Sequence, residues 1–129
     1  MREFLRKSQE GQEDEHGEML RHSFQVFGET LGYGAIFEAS RIINTFREEL
    51  SEEQYLTFNP GVMLGGTDVT YDRIKSRGIA FGKTNVVSQS VTAHGGIRTI
   101  SMNQLEKAMV AMREISSRNL PGTTAKIEF

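Results

Sequence analysis

The chain has 129 residues, no cysteine and a formal net charge of −2. One domain of that length buries roughly two-thirds of its unfolded surface without staples, and the absence of cysteine excludes disulfides and thiolate metal sites and fits a cytoplasmic protein. No apolar run approaches the ~18 residues of a membrane span, and the charge is too weakly distributed to argue for nucleic acid: three basic against six acidic residues over 1–20, and +1 over the remainder.

In chain order, residues 1–20 read as a polar, acidic leader. "GQEDEHGE" is a charged, glycine-flanked stretch that should not pack. Glu3 to Gln9 can form a short helix, disorder being the alternative, and the leader lacks the apolar core of a signal peptide. The folded domain is expected over 21–129. From 34 to 50, Ile36, Ala39, Ile43, Phe46 and Leu50 recur at steps of three and four, which predicts one helical face, widened by Phe37 and Ile42 and opposed by Arg41, Arg47, Glu48 and Glu49. Residues 55–67 ("YLTFNPGVMLGGT") predict a strand in which Pro60 marks an edge or a bulge. Residues 68–84 are a connection of mixed polarity, a hairpin or a strand extension. A second strand is predicted from Asn85 to Arg98, with Gly95-Gly96 marking a bulge or a close backbone approach. Ser101 with Gln104 forms a capping box, and Leu105, Ala108, Met109, Met112 and Ile115 draw a helix over 102–118. "NLPG" stops it, and 123–129 make a last strand.

The order helix, strand, strand, helix, strand, with a strand before the first helix, predicts an α+β fold. It is a ferredoxin-like two-layer sandwich of three to four antiparallel strands with two helices on one face. The only material for that first strand is "GEMLRHS", so it is expected to be weak or absent and to leave a sheet edge bare.

Much of the polar chemistry has an ordinary explanation. The three histidines form no close metal pair. His16 beside Glu13, Asp14 and Glu15 reads as part of a solvated run, Asp68 and Asp72 as an acid pair or equally as turn and surface-loop residues, and Met109 and Met112 as core. No G-x-S-x-G elbow or phosphate loop is present. Asn85, Arg98 and His22 remain. Arg98 offers a planar fork for a carboxylate or phosphate, Asn85 a neutral donor, and His22 a donor to a developing oxyanion. The competing reading is the polar edge of an ordinary sheet.

"RHS…GYGAIFEASRII", "FNPGVMLGGT", "GKTNVVSQSVTAHGGIRTIS" and "LPGTTAKIEF", in that order over 21–129, resemble the lid, or dimerisation, domain of the two-zinc exopeptidase family. That family includes glutamate carboxypeptidases, acetylornithine deacetylase, succinyl-diaminopimelate desuccinylase and aminoacylases, and the nearest likeness is to the glutamate carboxypeptidase branch. The resemblance implies a homodimer in which His22 stabilises a tetrahedral intermediate in the partner's active site, while Asn85 and Arg98 hold a substrate carboxylate. Ser88 stands where the family usually has proline, Gly96 where it often has aspartate, and Gly34 where it often has asparagine. The family's zinc ligands belong to a catalytic domain that these residues do not include. The chain is therefore expected to bind no zinc and to be inactive alone, as a fragment, a truncated product or an independent lid. The alternative is a stand-alone ferredoxin-like module that binds an amino acid or another carboxylate.

Overall fold

The computed structural model describes residues 18–129; the acidic run around His16 and the Glu3–Gln9 helix lie outside them. The order is β1 (Glu18–Gly28), α1 (Ala35–Leu50), β2 (Thr57–Gly66), β3 (Asp68–Asp72), β4 (Arg77–Phe81), β5 (Ser90–Thr99), α2 (Met102–Ser117) and β6 (Thr123–Glu128). Four strands form one antiparallel sheet in the order β2-β5-β1-β6, and β3-β4 form a separate hairpin. This is the ferredoxin-like arrangement with a hairpin inserted between its second and third strands.

The expectation of a weak first strand is overturned. β1 is 11 residues long and sits inside the sheet, paired with β5 on one side and β6 on the other. The apolar pattern that makes it a strand lies in "SFQVFG": Phe24 and Val26 are fully buried while Gln25 faces solvent. The bare edge inferred from its absence does not arise there; the sheet's edges are β2 and β6.

β5 starts later than expected, at Ser90, and Asn85 lies in the turn before it. Pro60 is on edge strand β2 at a register shift against β5, between Pro60 and Val62. Gly95 is the close approach: a Cβ there would collide with the Asn59 carbonyl across the ladder, whereas Gly96 has nothing nearer than 3.8 Å.

Phe24, Val26, Val91, Ala93 and Ile97 from one face of the sheet pack with Ala39, Ile42 and Phe46 of α1 and Leu105, Ala108, Met112 and Ile115 of α2. Each large side chain so buried contributes about 2–3 kcal/mol. The buried stripe of α1 runs Ala35, Glu38, Ala39, Ile42, Phe46, Leu50. It is rotated from the expected face, so Ile36 and Phe37 are exposed. Gly65 is what lets the helix come this close, since a Cβ there would meet Ile36 and Val91 at about 3 Å.

Arg41, expected on the solvent side, is drawn in by Glu38. The Arg41 guanidinium donates to both Glu38 carboxylate oxygens (2.7 and 2.9 Å) and to the Ile115 carbonyl of α2 (2.9 Å), and Asn119 Nδ2 donates to Glu38 Oε2 at 2.7 Å. Burial alone would raise the Glu38 pKa. The hydrogen bonds from Arg41 and Asn119 and the charge of Arg41 outweigh it and hold the carboxyl below its ordinary value.

The two helices start differently. Ser101 Oγ accepts from Gln104 N (3.1 Å) while Gln104 Oε1 accepts from Ile100 N (2.9 Å), and Gln104 Nε2 donates to the Gln54 carbonyl (2.9 Å), tying α2 to the loop after α1. α1 has no side-chain cap of its own. Its first N–H groups, of Ala35 and Ile36, donate to the carbonyl and the Oγ of Ser88, both at 2.9 Å. Serine at 88 is therefore a cap supplied from the loop before β5. Among the described residues no helix is long and apolar enough to cross a membrane.

Candidate functional site

The helix-free face of the sheet carries the residues that alternate with the core: Arg21, Ser23 and Gln25 of β1, Asn59 of β2, Thr92, His94 and Arg98 of β5, and Glu128 of β6. The β3-β4 hairpin lies over part of this face. Tyr71 stacks on His94 with ring centroids 3.9 Å apart and planes at 17°, a contact worth about 1 kcal/mol beyond its buried area. Arg73, first in the turn, reaches across to Ser23 Oγ (3.2 Å) and Glu128 Oε1 (3.3 Å). Asp72 Oδ1 accepts from Ile74 N and Lys75 N, which fixes the turn. Thus Asp72 is the turn residue its position predicted.

Between hairpin and sheet lies a cleft of about 760 Å³, lined among others by Arg21, Asn59, Tyr71, Arg73, His94 and Arg98. His94 bonds Thr92 Oγ1 through Nε2 at 2.9 Å. Burial first, and then the charge of Arg73, lowers its pKa, so the cleft favours a neutral imidazole flanked by guanidinium groups.

His22 and Arg98 both line this cleft, and Asn85 does not. His22 points to the core side of β1. It is only 6 % exposed, stacked on Phe58 (5.1 Å) and edge-on to Phe46 (6.4 Å), and its Nδ1 has no hydrogen-bond partner among the described residues. Burial, with His94 nearby, pushes its pKa down to about 4. The ring packs between Phe46 and Phe58. Arg98 is exposed at the far end of β5 and lines the cleft. Asn85 is exposed in the turn whose Ser88 holds the N-terminus of α1. Eight residues of β5 separate Ser90 from Arg98, about 26 Å at the rise of a strand, so Asn85 and Arg98 stand at opposite ends of the sheet.

The sequence reading missed Tyr71, Arg73 and Glu128. Their periodicity in "DVTYDR" and "AKIEF" is that of ordinary strands, and only the placement of the hairpin over β5 joins them. Among the described residues no three His, Asp or Glu side chains are grouped to hold a metal ion.

A two-layer α+β domain with a helix-free, cleft-bearing sheet face is therefore the class that fold and site define. The peptidase dimerisation domain family matches residues 28–124, and the chain belongs to that family. Solved structures share the fold at low identity. A hydantoinase/carbamoylase family amidase from Burkholderia vietnamiensis superposes with a TM-score of 0.64 at 15% identity, over 85% of this chain and 26% of its own. A tripeptidase from Staphylococcus aureus gives 0.60 at 16% identity, over 85% and 28%. An aminopeptidase PepT from Bacillus cereus gives 0.59 at 18% identity, over 85% and 28%. The chain thus spans about a quarter of the length of these structures. No curated protein sequence matches it significantly.

Proposed function

We propose that the chain is the lid and homodimerisation domain of a glutamate carboxypeptidase-like zinc enzyme of the cytoplasm, one that cleaves C-terminal or N-acyl amide bonds of amino acids. The match of residues 28–124 to the peptidase dimerisation domain family carries this reading. The chemistry belongs to a separate zinc-binding catalytic domain, and residues 18–129 supply assembly and substrate contacts. Arg98 and Asn85 are the candidate carboxylate contacts. Because Asn85 lies in the turn before β5 and Arg98 near the far end of that strand, contact of both with one ligand fits residues that come from different subunits. His22, which lines the same cleft and is 6 % exposed, is the candidate oxyanion contact in the partner's active site.

Light scattering of the 129-residue chain at micromolar concentration tests the assembly, with an expected mass of twice 14.5 kDa. A strict monomer would count against it. Incubated with N-acyl amino acids and zinc, the same chain is expected to show no turnover. Hydrolysis accompanied by stoichiometric zinc would overturn the division of labour.

A further inference from the structure

The β3-β4 hairpin is joined to the sheet in a way that leaves it separable. Every residue of β4 is exposed, including Ile79 and Phe81, and neither strand adds a side chain to the buried core. Tyr71 pairs with Gly78 in the hairpin ladder, and from that level the hairpin meets the sheet. Tyr71 lies flat on His94, and Gly78 sits over Leu64, where a Cβ would fall 3.2 Å from Leu64 Cδ1. Arg73 in the turn reaches Ser23 and Glu128. The hairpin is undercut on both sides of the Tyr71–His94 contact, by the 760 Å³ cleft and by a smaller one of about 200 Å³ that Gln25, Val69 and Thr92 help to line.

We propose that the β3-β4 hairpin is a flap that swings as a unit about the Gly66–Thr67 link and residues 82–87, its closed position held by the Tyr71–His94 stack and by the reach of Arg73 to Ser23 and Glu128.

Three observations carry it. First, backbone bonds bracket the pivot. Gln89 N donates to the Gly66 carbonyl at 3.0 Å on the sheet side, and Thr67 N donates to the Phe81 carbonyl at 2.8 Å on the hairpin side. Between them lie the Gly66–Thr67 link on one leg and residues 82–87 on the other, up to Ser88, which α1 holds. The inner bond and the β3-β4 ladder keep the hairpin in one piece while the legs turn. Second, a glycine stands at each leg. Gly66 passes so close to Phe81 that a Cβ would lie 2.7 Å from its carbonyl oxygen, and Gly82 begins the other leg. Small residues at element ends absorb the backbone rotation of a hinge. Third, the latch is weak. Arg73 and Glu128 pair at 3.3 Å with side-chain accessibilities of 62% and 52%, and such a contact exchanges readily with water. Opening uncovers Leu64 and the His94 ring and leaves the core intact, and a segment with so few buried apolar contacts opens well below the cost of unfolding. Closed, the hairpin adds Tyr71 and Arg73 to the cleft wall; open, it leaves that wall to the sheet. The inference concerns the hairpin alone and holds whether or not the domain dimerises.

Nuclear magnetic relaxation dispersion on the whole chain tests it, since motions of this kind fall in the microsecond-to-millisecond range. The expected result is one exchange process confined to residues 66–87 and to Leu64, Thr92 and His94, with flat profiles in α1, α2 and the Phe24–Val26 stretch of β1. Tyr71→Ala should raise the open population at least ~10-fold, and Arg73→Ala by about 2- to 5-fold. Tyr71→Phe keeps the ring and should stay within about 2-fold of the parent. Modification of His94 by diethylpyrocarbonate, located by peptide mass, should also be faster in Arg73→Ala, where the Tyr71 ring is still present. Both side chains lie outside the core, and unchanged circular dichroism will confirm that the variants fold. Flat profiles in the parent and in Tyr71→Ala alike would overturn the proposal. So would one process of equal amplitude through β1 and both helices, or an Arg73→Ala variant that matches the parent in both readings. The outcome separates from that of the assembly. A dimer with a fixed hairpin defeats only this proposal, and a monomer with a swinging one defeats only the dimer.

Discussion

His22 shows how one neutral imidazole in a core makes stability depend on pH. Its pKa is about 4 in the fold against an ordinary 6.5, so the unfolded chain takes up the proton first. Stability is therefore undiminished above pH 6.5 and falls as the pH drops from 6.5 towards 4, by up to about 3 kcal/mol for a shift of that size. Glu38 acts lower on the scale. With its folded pKa depressed, its contribution is present above the ordinary carboxyl range and is lost as the pH falls through the folded value. His22→Phe should flatten the upper part of this acid limb while leaving stability at pH 7 within about 1 kcal/mol, as read by urea unfolding at pH 7, 5.5 and 4.5. A limb of unchanged slope would show that His22 is not its source. The two neighbouring glycines give a sharper contrast. Gly95→Ala sets a methyl against the Asn59 carbonyl and should cost about 2–3 kcal/mol. Gly96→Ala, with open space beside it, should cost well under 1 kcal/mol. Equal effects would refute the close-approach reading.

Among the elements, the helices differ in how they begin, and substitution can expose the difference. α2 carries its own capping box, whereas α1 borrows Ser88 from a loop 52 positions away in sequence. Ser101→Ala and Ser88→Ala should each cost about 1 kcal/mol. The expected distinction is spatial. Ser101→Ala should speed amide exchange only in the first turn of α2. Ser88→Ala should release both the first turn of α1 and the 82–89 turn that carries Asn85. If exchange in that turn is unaffected, Ser88 does not hold it. The Glu38–Arg41–Asn119 cluster is the corresponding tie at the other helix, joining α1 to the end of α2. Glu38→Ala leaves Arg41 facing the Ile115 carbonyl without its carboxylate and should cost about 2 kcal/mol, less than a fully buried pair because Arg41 is partly solvated.

At the scale of the molecule, the exposed apolar residues gather near the start of α1. Tyr33 and Phe37 meet edge-to-face at 6.3 Å, and Ile36 lies beside Gly65 of edge strand β2. Phe37 is 68% exposed, so Phe37→Glu should leave folding intact. If a second copy covers this region, the variant should weaken self-association at least ~10-fold in sedimentation or light scattering. A variant that dimerises like the parent would move the interface elsewhere on the domain.

The sequence by itself determined the local structure. Helical periodicity, the Ser101–Gln104 box, the breaking "NLPG" and the Pro60 irregularity depend on residues a few positions apart, and they gave the fold class and the two helices nearly to the residue, while β5 begins at Ser90 rather than at Asn85. The larger misses were long-range. β1 was underrated because its apolar alternation lies past "GEMLRHS", in "SFQVFG", and only pairing on both sides shows that it is a central strand. Arg41 read as surface charge because nothing local reveals that Glu38 is buried, with Asn119, 81 positions away, closing over its carboxylate. Asn85 and Arg98 were expected on one strand, whereas Asn85 lies in the turn before β5. The cleft was not legible at all: Tyr71, Arg73, His94 and Glu128 come from three segments, and only the folding of the hairpin across β5 makes them one surface.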